Sequence, residues 1–298
     1  MQNDSLKNYL HLHFIVFIWG FTAVLGALIS LEALSLVWYR MLLASGLIAL
    51  YIYIKKFSFK VSWRRGMLFI LGGIIISLHW LTFFGAIKVS NVSITLAMMS
   101  TGSFFTAILE PIWYKRKIIW YELVFGLIVI AGLYIIFKVE GDHAHGIALA
   151  LISAFLASVF SLLNGQLVKL ERPSVISLYE LSGGTLFLSL FLAFNQRFTA
   201  DFFVLKPADW IYIFILASVC TAYAFIVSVK IMKFISPYTV MLTINLEPVY
   251  GILLAFFILG EDEKMNFGFY LGAFVILATV VANGILKYRL KKKSLTKK

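Results

Sequence analysis

Ten apolar runs of roughly 20 residues, separated by charged or turn-forming breaks, fill nearly all of this 298-residue chain. They fall near 10–29, 33–54, 66–86, 90–113, 118–137, 146–167, 174–194, 208–229, 237–259 and 266–286. A helix rises about 1.5 Å per residue, so each run matches a hydrocarbon core about 30 Å thick. The runs lack the two-residue alternation of barrel strands, and in lipid only a helix otherwise satisfies every backbone N–H and C=O. The expected fold class is an all-α polytopic membrane protein of ten transmembrane helices. With 61% hydrophobic and 13% charged residues, the composition excludes a water-soluble globule, in which about a quarter of residues are charged. The longest connections, 55–65 and 195–207, leave no room for a soluble domain.

The two halves of the chain can be overlaid. Lys88 and Asn91 fall on Lys233 and Ser236, and at the same offset Ser103 falls on Pro248. Gly126 meets Gly272 after a one-residue slip, and Tyr39-Arg40 meets Tyr179-Glu180. Each half, 1–140 and 141–298, carries five spans. An odd-numbered repeat must enter the membrane from the opposite side the second time, which predicts two inverted five-helix repeats, a plan shared by many secondary transporters.

A net charge of +12 raises the question of a polyanionic partner, but the basic residues sort by loop instead. With the N-terminus inside, 20 Lys and Arg lie in cytoplasmic segments against five on the other side, with Arg40 alone inside a span. This bias predicts both termini in the cytoplasm and no nucleic-acid partner. The basic tail around Lys291 reads as an anchor at anionic lipid headgroups. The first span reads as part of the bundle, not as a cleaved signal, and the single Cys220 permits no internal disulfide. Gly268 and Gly272 form a close-packing face, for another helix of this chain or for a second copy, so the expected state is monomer or homodimer.

Ionisable groups at membrane depth are costly and mark a pathway by default. Arg40, His79, Glu180 and Glu247 qualify. Arg40 lies about 10 Å from the outer end of its span and Glu180 about as far from the inner end of its own, so a direct salt bridge between them is not expected. His79 is level with Arg40 and, with Tyr39 and Trp80, would make a cationic, aromatic outer half of a cavity. Glu247 is the deepest acid; it reads either as a proton-coupling group or as a neutral acid bonded to backbone freed by a kink at Pro248, and Glu180 carries the same pair of readings. Asn164, Asn245 and Thr101 are further candidates for the same path. Asp142, His143 and His145 make a weak metal pattern in an outer loop, better read as solvated, so no metal or cofactor is expected. Every aspartate lies outside the spans or, as Asp209 does, at the very edge of one, and neither a His-Glu-x-x-His motif nor a glycine-rich phosphate loop is present, so the chain does not read as an enzyme.

The stretch from Leu246-Glu247-Pro248 to Leu259-Gly260-Glu261 resembles the end of EamA-family transporters, in the drug/metabolite transporter superfamily. Val37 to Ala44, around Arg40, resembles that family's arginine-bearing second helix. The resemblance covers the whole chain and implies a plasma-membrane carrier working by alternating access, often an exporter of amino acids or related metabolites. Uptake is the rival within that class; a lipid-handling enzyme or flippase, or a channel, is the alternative outside it. One departure is visible: Lys115-Arg116 stands where the second half has Gly260-Glu261.

Overall fold

The computed structural model describes residues 2–115, 120–235, 237–244 and 246–295. The described residues form thirteen α-helices with no strand among them. In the first half these are α1 (Gln2–Leu28), α2 (Ala33–Ile54), α3 (Trp63–Val89), α4 (Val92–Met99), α5 (Gly102–Trp113) and α6 (Trp120–Val139). The second half has α7 (Ala144–Leu167), α8 (Pro173–Phe194), α9 (Pro207–Ala217), α10 (Ala224–Ile231), α11 (Pro237–Ile244), α12 (Glu247–Leu259) and α13 (Phe267–Leu295). Pro173, Pro207 and Pro248 each sit in a first helical turn, where the missing N–H would have had no partner. Asn91 caps α4, its Oδ1 accepting from Ile94 N at 2.8 Å. Ser236, which the overlay sets opposite Asn91, lies outside the described residues.

Among the described residues, eight segments are long and apolar enough to cross a membrane, where the sequence predicted ten. Val124–Val139 and Glu247–Leu259 are apolar but shorter. Some crossings are built from pieces, and two of these, Val92–Trp113 and Pro207–Ile231, are among the eight. The fourth expected span is α4 and α5, broken at Ser100 and Thr101, and the ninth is α11 and α12. The offset that sets Lys88 over Lys233 carries α4 onto α11 and α5 onto α12, so the two breaks are equivalent. Pro248 therefore does not kink a continuous helix, as the sequence suggested, but starts a new one. In the eighth span a π-helical turn, Ser218–Tyr223, joins α9 to α10.

Helix packing exchanges under the same overlay. α1 packs on α12 and α10 as α7 packs on α5 and α3; α2 packs on α9 as α8 packs on α3. α2 meets α8, and α6 meets α13, its own counterpart. Lipid tails are as apolar as leucine, so helix association here rests on close backbone approach, and glycine supplies it. A Cβ at Gly73 of α3 would fall 2.9 Å from Gly184 N on α8, and one at Gly20 of α1 would fall 3.0 Å from Gly251 N on α12. Gly268 and Gly272 both face α6, at Val139 and at Gly132 and Ile136, so this face packs within the chain.

Candidate functional site: a central cavity with one unpaired guanidinium nitrogen

Between the halves lies a cavity with about 780 Å³ of empty space, its open mouth included. About half of its wall is aromatic or sulfur-bearing: Trp19, Trp80, Phe83, Phe160 and Phe225, with Met99, Met232 and Met241. Few polar residues line it: Thr22, Arg40, His79, Ser161, Ser228 and Glu247.

Arg40 is 1% exposed. Its Nε donates to Thr221 Oγ1 at 2.6 Å, and that hydroxyl donates to Leu216 O, five residues back, at 2.6 Å. The π-helical turn makes this possible by opening the usual four-residue spacing. The guanidinium carbon lies 3.8 Å from the centroid of the Trp80 ring, a cation–π contact. Among the described residues, Nη1 has no hydrogen-bond partner. A buried donor left unpaired costs about 1–3 kcal/mol, and more when charged, so this atom favours an incoming acceptor.

His79 Nδ1 lies 3.0 Å from Ser153 O and 2.8 Å from Ser153 Oγ, while Ser153 Oγ donates to His79 O at 3.0 Å. One tautomer satisfies all three contacts, with the proton on Nδ1. Glu247, 8% exposed, opens α12 at the helix break and puts a carboxyl on the same cavity as Arg40.

The cavity thus brings together Arg40, His79, Trp80 and Glu247. The other candidates lie elsewhere. Tyr39 points into an aromatic cluster, stacked on Phe202 with centroids 5.6 Å apart, its hydroxyl donating to Phe202 O at 3.1 Å. Thr101 is fully buried at the α4–α5 break, its hydroxyl donating to Met98 O at 2.7 Å. Asn164 and Glu180 bond each other, Nδ2 to Oε1, at 2.8 Å, off the cavity wall. Asn245 lies outside the described residues.

Most of the lining was missed in the sequence, although the repeat carries a signal for it. The Lys88–Lys233 offset sets Trp80 over Phe225, Phe83 over Ser228 and Met99 over Ile244, and all six residues line the cavity. α1 and α7 add Thr22 and Ser161, each six residues before its helix ends.

The cavity reaches Met232 and Met241, where α10 runs into α11. At the opposite end the halves are tied. Asp209 accepts from Ser30 N at 2.7 Å and Ser30 Oγ at 2.6 Å, while within the first half Lys88 Nζ donates to the neighbouring Ile29 O. Glu263 accepts from Val92 N at 2.9 Å, Ser93 N at 2.8 Å and Ser93 Oγ at 2.7 Å, holding a carboxylate at the N-terminus of α4.

Apolar crossings in two related halves around a buried, sparsely polar cavity define a multi-pass membrane protein of the transporter class. The pattern of the EamA-like transporter family matches residues 7–138 and again 144–284, and the chain belongs to that family. An uncharacterized transporter from Archaeoglobus fulgidus is 24% identical over 283 residues, covering 92% of this chain and 96% of the relative. A protein of known crystal structure shares the fold, with a TM-score of 0.68 over 94% of this chain and 98% of its own, at 13% identity.

Proposed function

We propose that this membrane transporter is a secondary carrier that exports a small amphipathic metabolite, an amino acid or a related compound. Arg40 Nη1, unpaired on an otherwise largely apolar wall, carries the reading. In this reading Arg40 takes the substrate carboxylate, Glu247 faces an amine, His79 offers a further polar contact, and Trp80 with the other aromatic residues takes the apolar body. Tyr39 acts from behind by fixing α2, Thr101 belongs to the break at which α4 and α5 move against each other, and Asn245 is kept as a candidate for the substrate path.

The carrier works by alternating access between two inverted repeats, 1–140 and 141–298, with α4–α5, α9–α10 and α11–α12 each counted as one crossing, ten in all. Both termini lie in the cytoplasm and the protein resides in the plasma membrane, a reading supported by the 20-to-five distribution of basic residues. In that orientation the tied end faces outward and the cavity opens inward. The membrane-buried cavity and the family match support a carrier over an enzyme.

The test is counterflow in proteoliposomes loaded with L-leucine and L-phenylalanine, zwitterions with apolar side chains. Exchange is expected to saturate. Arg40→Ala is expected to lower it by about 10- to 100-fold, the equivalent of one charged hydrogen bond, while the protein stays monodisperse. Unsaturated conductance, or full activity in Arg40→Ala, overturns the reading; release against uptake in cells overproducing the protein decides direction.

A further inference from the structure

Four buried oxygen atoms on two neighbouring helices lack a hydrogen-bond partner among the described residues: Ser161 Oγ and Asn164 Oδ1 on α7, Ser177 Oγ and Glu180 Oε2 on α8. Buried polar atoms are paired in the great majority of cases, so four orphans in one region call for an explanation. The spacing organises them. Ser161 and Asn164 are three residues apart on α7, as are Ser177 and Glu180 on α8, so each pair shares a helix face with Cβ atoms about 5–6 Å apart. The hydrogen bond from Asn164 Nδ2 to Glu180 Oε1, 2.8 Å, joins the two pairs. Ser161 lines the cavity; Glu180 does not, and is 0% exposed.

α3 leaves room for this carboxyl by presenting glycine. A Cβ at Gly72 would fall 2.6 Å from Glu180 Oε1. The charged and titratable groups of the elements packed against α8 are engaged elsewhere or far off. On α2, Arg40 turns to Thr221 and Trp80; on α3, His79 turns to Ser153, Arg65 to Leu170 O, and Lys88 to Ile29 O. Lys230 on α10 is exposed. On α8 itself the Tyr179 hydroxyl donates to Phe59 O.

A carboxylate so placed has one oxygen served by an amide and the other served by nothing. A proton on Oε2 changes this, because the acid can donate to Asn164 Oδ1 while Asn164 Nδ2 donates to Oε1. The acid–amide pair then closes on itself, and two of the four orphans are satisfied by one proton. Glu180 is closed off from a substrate, whereas Ser161, three residues before Asn164 on α7, sets a hydroxyl on the cavity wall on the same helix face as this pair.

We propose that Glu180 is the proton-binding group of this carrier, protonated against Asn164 in the cavity-open arrangement and exchanging its proton with the cavity past Ser161. No bond other than O–H is made or broken: the carboxyl loses its proton to water in the cavity and regains one from it. Proton and substrate thus occupy separate groups, Glu180 for the proton and Arg40 with Glu247 for the substrate. This rests on the reading as a secondary carrier.

The test uses the full-length protein in proteoliposomes, with L-leucine and L-phenylalanine as probes and a pH-sensitive dye inside. Wild type is expected to move protons with either probe and to accumulate it under a pH gradient. Glu180→Gln keeps a neutral amide pair and is expected to retain counterflow while losing both proton movement and gradient-driven accumulation. Its infrared spectrum is expected to lack the band of a buried protonated carboxyl present in wild type. Proton coupling that survives Glu180→Gln overturns the proposal, as does coupling lost only in Glu247→Gln. Wild type that exchanges the probes without proton movement overturns it too, with the carrier reading intact; wild type that exchanges neither probe sinks the carrier reading itself. Should Glu180→Gln not fold, Glu180→Asp replaces it: a shifted midpoint pH of coupling supports the proposal, and an unchanged one overturns it.

Discussion

Thr221 holds Arg40 from a helix whose own hydrogen bonding has been re-spaced to free a hydroxyl at the right height. Thr221→Val keeps the shape and removes the acceptor. A hydrogen bond to a charged group contributes about 1.5–3 kcal/mol, so the half-saturating probe concentration in counterflow is expected to rise about 10-fold or more, with little change in melting temperature. The sequence made Arg40, His79 and Glu247 legible because a charge in a span is rare. It did not single out Thr221 or Ser161, since hydroxyls inside membrane helices commonly bond their own backbone, as Thr106 does to Gly102 O at 2.9 Å. Tyr39 shows the converse, a residue named in the sequence whose position only the fold supplies. Adjacent to Arg40 in sequence, it emerges on another face of α2, and only the fold reveals that this face meets Phe202 and Trp210 instead of the cavity.

At the scale of elements, glycine decides which helices can touch. Gly73→Leu is expected to cost at least about 1–3 kcal/mol, seen as a lower melting temperature in detergent, because its Cβ would meet the backbone of Glu180 and Gly184. Gly46, also within a helix, has nothing within 4 Å of its Cβ position. Gly46→Ala is therefore expected to be neutral or to gain about 0.5–1 kcal/mol by the same measurement, from helix propensity alone. In the sequence the Gly72-Gly73 pair reads as a close-packing patch, but nothing there names the helix it meets. Their difference lies in the α3–α8 crossing, a long-range fact that no local pattern encodes. The helix breaks were likewise hidden by hydropathy, since 92–113 is apolar enough on average to read as one span and hydroxyls such as Ser100 and Thr101 are common in membrane helices.

For the whole molecule, the two ties at one end are the contacts that alternating access would have to release. Asp209→Ala combined with Glu263→Ala is expected to open that end, read as faster labelling of a cysteine placed at Phe83 by a membrane-impermeant maleimide from outside. Unchanged labelling would remove these ties from the gating. Orientation has its own check: a fluorescent protein fused after Lys298 is expected to fluoresce, as it does only when the C-terminus stays in the cytoplasm.

The sequence by itself determined the helical class, the duplicated halves and the rare charges, because lipid enforces backbone hydrogen bonding within each span and makes every buried charge conspicuous. Tertiary structure alone decided which of those charges share a cavity, where two crossings break, and that Glu180 pairs with Asn164 and not with a substrate-facing wall. The reason is geometric. A helix in lipid can show any face to its neighbours, and what fixes the choice is the close fit of glycines and hydroxyls from distant parts of the chain, which becomes readable only once the helices are packed.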